Sequence, residues 1–173
     1  MPAAPVQIAL LIPLAIIIAY YDVRYRRIPN PFVLATLVSG LAINAIFGGL
    51  QGVLASFAGC ALGFVLMFML HVFGAMGAGD VKLFAAIGAV TGVHLILPTF
   101  LVVVLTGGLL ALISIIRAGV VITTMQRVLQ ILVGLLPGWE MPRFAVPADG
   151  RHTIPYGVAI TIGSIISTAI FRA

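Results

Sequence analysis

The sequence has very little with which to face water. Only 8% of its 173 residues are charged, and four are acidic: Asp22, Asp80, Glu140 and Asp149. Hydrophobic residues make up 62%, and the mean hydropathy is +1.27. A soluble domain of this length could bury one core but could not hide so much apolar surface, so the bilayer must be the solvent. The single cysteine, Cys60, lies in an apolar run, which excludes a disulfide framework and a paired-thiol zinc site and leaves packing as its role. Histidines are few and scattered as His71, His94 and His152, so no metal site and no cofactor are expected. No internal repeat is visible. The N-terminal apolar stretch has neither a basic leader nor a small-residue cleavage site before Asp22, and therefore reads as a retained span rather than a signal peptide.

What is present is long apolar runs punctuated by glycine and proline. A ruler of roughly 20 apolar residues per crossing gives about six spans. They run from about Ala3 to Tyr21, from Pro31 to about Phe47, from about Gly52 to Phe73, from Asp80 to Leu97, from a turn at Pro98 to about Ile116, and from about Pro155 to Phe171. Basic residues orient them, because loops rich in Lys and Arg stay in the cytoplasm. Arg24, Arg26, Arg27, Lys82, Arg117, Arg127, Arg143 and Arg151 then share one side, and Arg172 alone takes the other. The expectation is an all-α polytopic membrane protein, a bundle of about six transmembrane helices with both termini outside the cytoplasm. Residues 1–173 read as one transmembrane domain with a cytoplasmic polar loop at 118–153. The first part of that loop, about Val120 to Leu136, has the pattern of a helix lying on the membrane surface, with Trp139 at headgroup level. A seventh span there would put Arg127 and Gln130 in mid-membrane. The net charge of +5 is a topology signal that also suits an anionic inner leaflet, and no nucleic-acid partner is expected.

Small-xxx-small spacing recurs at Gly59 and Gly63 and at Gly88 and Gly92, which would let helix backbones approach closely. Of the four acids, Asp22 and Asp80 stand at span ends, and the topology brings both to the cytoplasmic boundary. Taken singly, each has a plain reading. Asp80 follows Gly79 at the start of an apolar helix and would serve as an N-cap, and Asp22 could pair with Arg24, Arg26 or Arg27. Together they can share one proton, so that one draws a proton from water while the other protonates a substrate carbonyl.

The surroundings of the two aspartates sharpen this reading. "YYDVRYRRIPN", residues 20–30, and "GAMGAGDVKLFAAIG", residues 74–88, resemble the type IV prepilin peptidases, membrane aspartic proteases of the GxGD kind. "IPYGVAI", residues 154–160, looks like that family's entry to the final span. The resemblance implies that Asp22, in a D-x(5)-IPN context, and Asp80, in GxGDxK, form the catalytic pair. It implies a prepilin substrate, whose leader is removed at the cytoplasmic face of the bacterial inner membrane after a glycine that precedes its hydrophobic helix. Larger members carry a cytoplasmic insertion with paired CxxC motifs and also methylate the new amino terminus. This chain has one cysteine and only a short link after Asp22, and it resembles the short members that serve Tad/Flp-type pili, without the methyltransferase region.

Three further residues are candidates for support of the site. Gly77 and Gly79 leave room for a substrate backbone and would permit dihedrals that other residues resist, although glycine equally suits a plain interhelical turn. Lys82, two residues past Asp80, is turned roughly 200° around a helix from it and reads as an interface anchor, with substrate contact as the second possibility. A proton-coupled carrier is the competing class, since membrane carboxylates relay protons, but carriers place such groups near the midplane and often in repeated halves. A pilus-machine scaffold with vestigial carboxylates is a third. A presenilin-like protease would share the chemistry on other substrates.

Overall fold

The computed structural model describes residues 3–72, 76–117, 119, 122, 125 and 156–172. Among the described residues the bounded helices are α1 (Ala3–Tyr25), α2 (Asn30–Val72), α3 (Ala78–Thr91), α4 (Val93–Arg117) and α5 (Tyr156–Arg172). Two compact units divide the chain. Residues 1–107 with 155–173 form the first, and residues 108–154 form the second, which begins with the last part of α4. The surface helix expected at 120–136, Trp139 and most of the loop at 118–153 lie outside the described residues.

Each helix carries a stripe of buried residues at helical spacing, and in the first unit the stripes converge. On α1 the stripe is Ala4, Gln7, Leu11, Leu14, Ile18 and Asp22, each three or four residues after the last. Asp22 therefore continues an apolar stripe that faces protein. On α4 it is Ile96, Thr99, Val103 and Gly107. The short helix α3 is buried at Val81 and at every position from Leu83 to Thr91, so it is the centre of the unit. Around it the polarity is inverted. Gln7, Asn44, Ser56, Thr99, Ser164 and Ser167 are inside, while Leu34, Ile46, Leu50, Phe57, Leu105 and Ile170 are outside. That distribution fits a hydrocarbon solvent, which rewards buried polar pairing and tolerates exposed apolar side chains.

The 43 residues of α2 are two arms. Gly49 has φ 55° and ψ −140°, outside the helical region. The Asn44 side-chain amide donates to Ser56 Oγ at 2.8 Å, yet in a straight helix these residues would be about 18 Å apart, so the chain reverses between them. The reversal falls in the gap expected between the second and third spans. The second arm packs backbone to backbone on α3: a Cβ at Gly59 or at Gly88 would run into the other residue's carbonyl oxygen, and one at Gly63 would lie 3.2 Å from the Phe84 carbonyl oxygen. These are the small-xxx-small glycines.

Two expected boundaries move. The fourth span does not run to a turn at Pro98. It stops at Thr91, where Gly92 takes φ 77°, and Pro98 lies inside α4. Glycine adopts a positive φ without a steric penalty, whereas proline in the second turn of a helix removes one hydrogen bond and is accommodated. The carbonyls left without helical donors near this break are met by buried side chains. Asn44 Nδ2 and Ser56 Oγ each donate to the Ala89 oxygen at 2.8 Å, and Gln7 Nε2 donates to the Val90 oxygen at 2.7 Å. In addition, α1 continues past Tyr21, so Asp22 lies within its last turn rather than closing it. Among the described residues, α1, α2 and α4 are long and apolar enough to cross a membrane, and α5 is shorter.

Candidate active site

Asp22 is buried, at 8% exposure, and its partner comes from the far end of the chain. Oδ2 accepts a hydrogen bond from the Gly157 N–H at 2.8 Å. Gly157 is the second residue of α5, and Val158 adds a second backbone donor to the same carboxylate. The first N–H groups of any helix have no internal acceptor, so Asp22 on α1 caps α5 from outside. The positive end of the α5 dipole favours a negative charge there. Gly157 is required for the approach, because a Cβ would lie 2.9 Å from Asp22 Oδ2 and 2.9 Å from Ile18 Cγ2.

Asp80 belongs to the start of α3, as its third residue rather than its N-cap. Gly77 takes the cap position, its N–H donates to Asp80 Oδ2 at 3.1 Å, and its carbonyl accepts from the Asp80 N–H at 3.1 Å. This reciprocal pair fixes the carboxylate at the mouth of the helix. Asp80 is half-buried, while Gly77 is exposed.

The segments that carry the two aspartates touch. Ile28, from the link between α1 and α2, covers Gly79, where a Cβ would lie 3.5 Å from the Ile28 Cβ. The segment after Asp22 thus rests on the residue before Asp80. The Asp22 charge acts on Asp80, and the Asp80 charge acts on Tyr156, the residue before Gly157. The Tyr156 ring lies against Gly107 of α4, with Cε1 3.6 Å from the position of a Cβ there. Asp22, Asp80 and Tyr156 therefore stand at three helix ends and share one field.

The supporting residues expected from sequence divide. Gly77 has φ −78° and ψ 155°, which any residue adopts, and Gly79 is helical, so neither is needed for an unusual dihedral. What they contribute is space. A Cβ at Gly77 would lie 3.3 Å from Asp80 Oδ2, whereas one at Gly79 would make only ordinary contact with Ile28. Lys82 is exposed on a helix whose other residues from Val81 to Thr91 are buried, so it faces away from the packed side. The donors from α5 were missed, since a backbone N–H leaves no mark in a sequence. The one available signal was Gly157 beside Tyr156 at a span entry. Each carboxylate is thus held by backbone donors at a helix start, Asp22 by α5 and Asp80 by Gly77.

Comparison with known proteins bears on the same segment. No solved structure matches the chain. The prepilin leader peptidase/N-methyltransferase of Bacillus subtilis (strain 168) is 36% identical to it over 100 residues, which cover 57% of this chain and 40% of that protein. The chain thus aligns with less than half the length of that relative. The sequence profile of the type IV leader peptidase family matches residues 9–112, a stretch that holds both Asp22 and Asp80. By that match over more than half of its length, the chain belongs to the type IV leader peptidase family.

Proposed function

We propose that the chain is an aspartic endopeptidase that removes the leader peptide of type IV prepilins, with Asp22 and Asp80 as its acid/base pair. The observation that supports this reading is the packing of the segment after Asp22 on the residue before Asp80. The aspartates are 58 positions apart in sequence, yet Ile28 lies against Gly79 and the Asp22 charge acts on Asp80, both inside the segment that matches the family. One carboxylate, ionised, takes a proton from water as the oxygen attacks the scissile carbonyl carbon. The other, protonated, gives its proton to the carbonyl oxygen. Collapse of the tetrahedral intermediate breaks the C–N bond and delivers a proton to the leaving amine, which restores the pair. No metal or cofactor is needed for this step.

Finer features belong to the same proposal. The bilayer is the solvent, the membrane is the bacterial inner membrane, and about six crossings, with the two arms of α2 as separate ones, leave both termini outside. The site then faces the cytoplasm with Arg24, Arg26, Arg27 and Lys82. The substrate is a Flp-like prepilin that presents its leader and its hydrophobic N-terminal helix. Methyl transfer is not expected of this chain, because the link of residues 26–29 between α1 and α2 has no room for a cysteine-paired insertion.

The test is co-expression with a candidate Flp-like prepilin from the same genome, scored by the mobility shift on leader removal. Wild type should process it, and Asp22→Ala and Asp80→Ala should each abolish processing. Cleavage that survives in both variants would sink the assignment.

A further inference from the structure

Three arginines follow Asp22, and the fold treats them differently. Arg24 lies in the last turn of α1, and Arg27 lies beyond its end. Arg26 stands four residues after Asp22, and its charge is the one that acts on the Asp22 carboxylate. The two residues are four apart across the last turn of α1, so both charges lie at the same helix end. Arg26 is also the one residue other than glycine with a positive φ, 53°, among the described residues. Its N–H bonds the Asp22 carbonyl oxygen at 3.1 Å, which makes it the left-handed residue that ends α1. Glycine is usual there, because a Cβ crowds the backbone in this conformation.

A cation that serves only to orient the chain works equally well at 24 or 27, and it leaves the strained position to glycine or asparagine. An arginine kept there, with its charge on a buried carboxylate, marks a constraint beyond folding. Among the described residues, the other groups around Asp22 are Asp80 from α3 and the Gly157 and Val158 N–H groups from α5, with Tyr156 next to Asp80. None of these is a cation.

We propose that Arg26 is a positioning residue for the aspartate pair: the left-handed turn at the end of α1 holds its guanidinium where it supplies the counter-charge to Asp22. The inference rests on the reading of Asp22 and Asp80 as the acid/base pair. It assigns to one of three adjacent arginines a role that the others do not share.

The experiment is steady-state cleavage of a Flp-like prepilin by the full chain in detergent, with thermal unfolding of each variant alongside. Arg26→Gln and Arg26→Gly should each lose about tenfold or more in kcat while KM stays within about twofold. Arg26→Lys should keep kcat within about threefold of wild type, since it restores the charge. The midpoint of Arg26→Gly should not fall below wild type, because glycine relieves the positive φ. Arg24→Gln and Arg27→Gln remove the same charge from the same face and should keep kcat within about threefold. The proposal is overturned if Arg26→Gln or Arg26→Gly turns over like wild type, if Arg26→Lys is no better than Arg26→Gln, or if Arg24→Gln is as damaging as Arg26→Gln. Failure of the underlying reading looks different: Asp22→Ala and Asp80→Ala would then still cleave.

Discussion

Asp22 and Asp80 are held by backbone donors, and this makes the site sensitive to glycines that carry no chemistry. Gly157→Ala would drive a methyl to 2.9 Å from Asp22 Oδ2 and push the carboxylate off the start of α5. A displacement of that kind should lower the cleavage rate by about 10–100-fold, with the protein still folded by thermal unfolding in detergent. Gly77→Ala should act more mildly through the 3.3 Å approach to Asp80, and Gly79→Ala should leave folding intact because its nearest neighbour, Ile28, is at ordinary contact distance. A Gly79→Ala protein that unfolds well below wild type would contradict this. Asp22→Asn keeps the shape but not the charge and should abolish turnover. At this scale the sequence singles out the aspartates, since carboxylates are rare in apolar chains and two at span ends ask for an explanation. It was a poor guide to how they are held, because the donors are main-chain atoms of α5.

At the scale of the helix, the decisive contact is between the second arm of α2 and α3. Gly59 and Gly88 meet backbone to backbone, so Gly88→Leu would have to separate the two helices. We expect a loss of about 3 kcal/mol or more, read as a lower unfolding midpoint in detergent and reduced accumulation in membranes. The glycine spacing was visible in the sequence, but which pairs would meet was not. The polar residues beside it were not legible at all. Asn44, Ser56 and Gln7 are single interruptions of apolar runs, and their purpose depends on the carbonyls of Ala89 and Val90 that the break at Gly92 leaves without donors. Asn44→Leu removes one of the two side-chain donors to each of those carbonyls and should cost about 1 kcal/mol. The misplaced boundary at Pro98 has a related cause. Proline and glycine both punctuate a sequence, yet only the packing around Gly92 decides which of them ends a helix.

Among the described residues, small polar side chains are inside and large apolar ones outside, the arrangement expected of a chain dissolved in lipid. It should therefore stay in the membrane fraction through alkaline carbonate and leave only with detergent; recovery in the soluble fraction would refute the bilayer as its solvent. Orientation can be read with an impermeant thiol reagent after Cys60→Ser has removed the one native cysteine. Arg27→Cys should be shielded in intact spheroplasts and label after permeabilisation, and the opposite result would invert the proposed topology. The sequence by itself determined the apolar composition, the helical class and the family resemblance, because composition, hydropathy runs and short motifs are local properties of a chain. Only the tertiary structure decided that α5 returns to cap Asp22 and that the chain turns back at Gly49. Those facts depend on which distant backbone atoms meet, and a one-dimensional string does not encode distances.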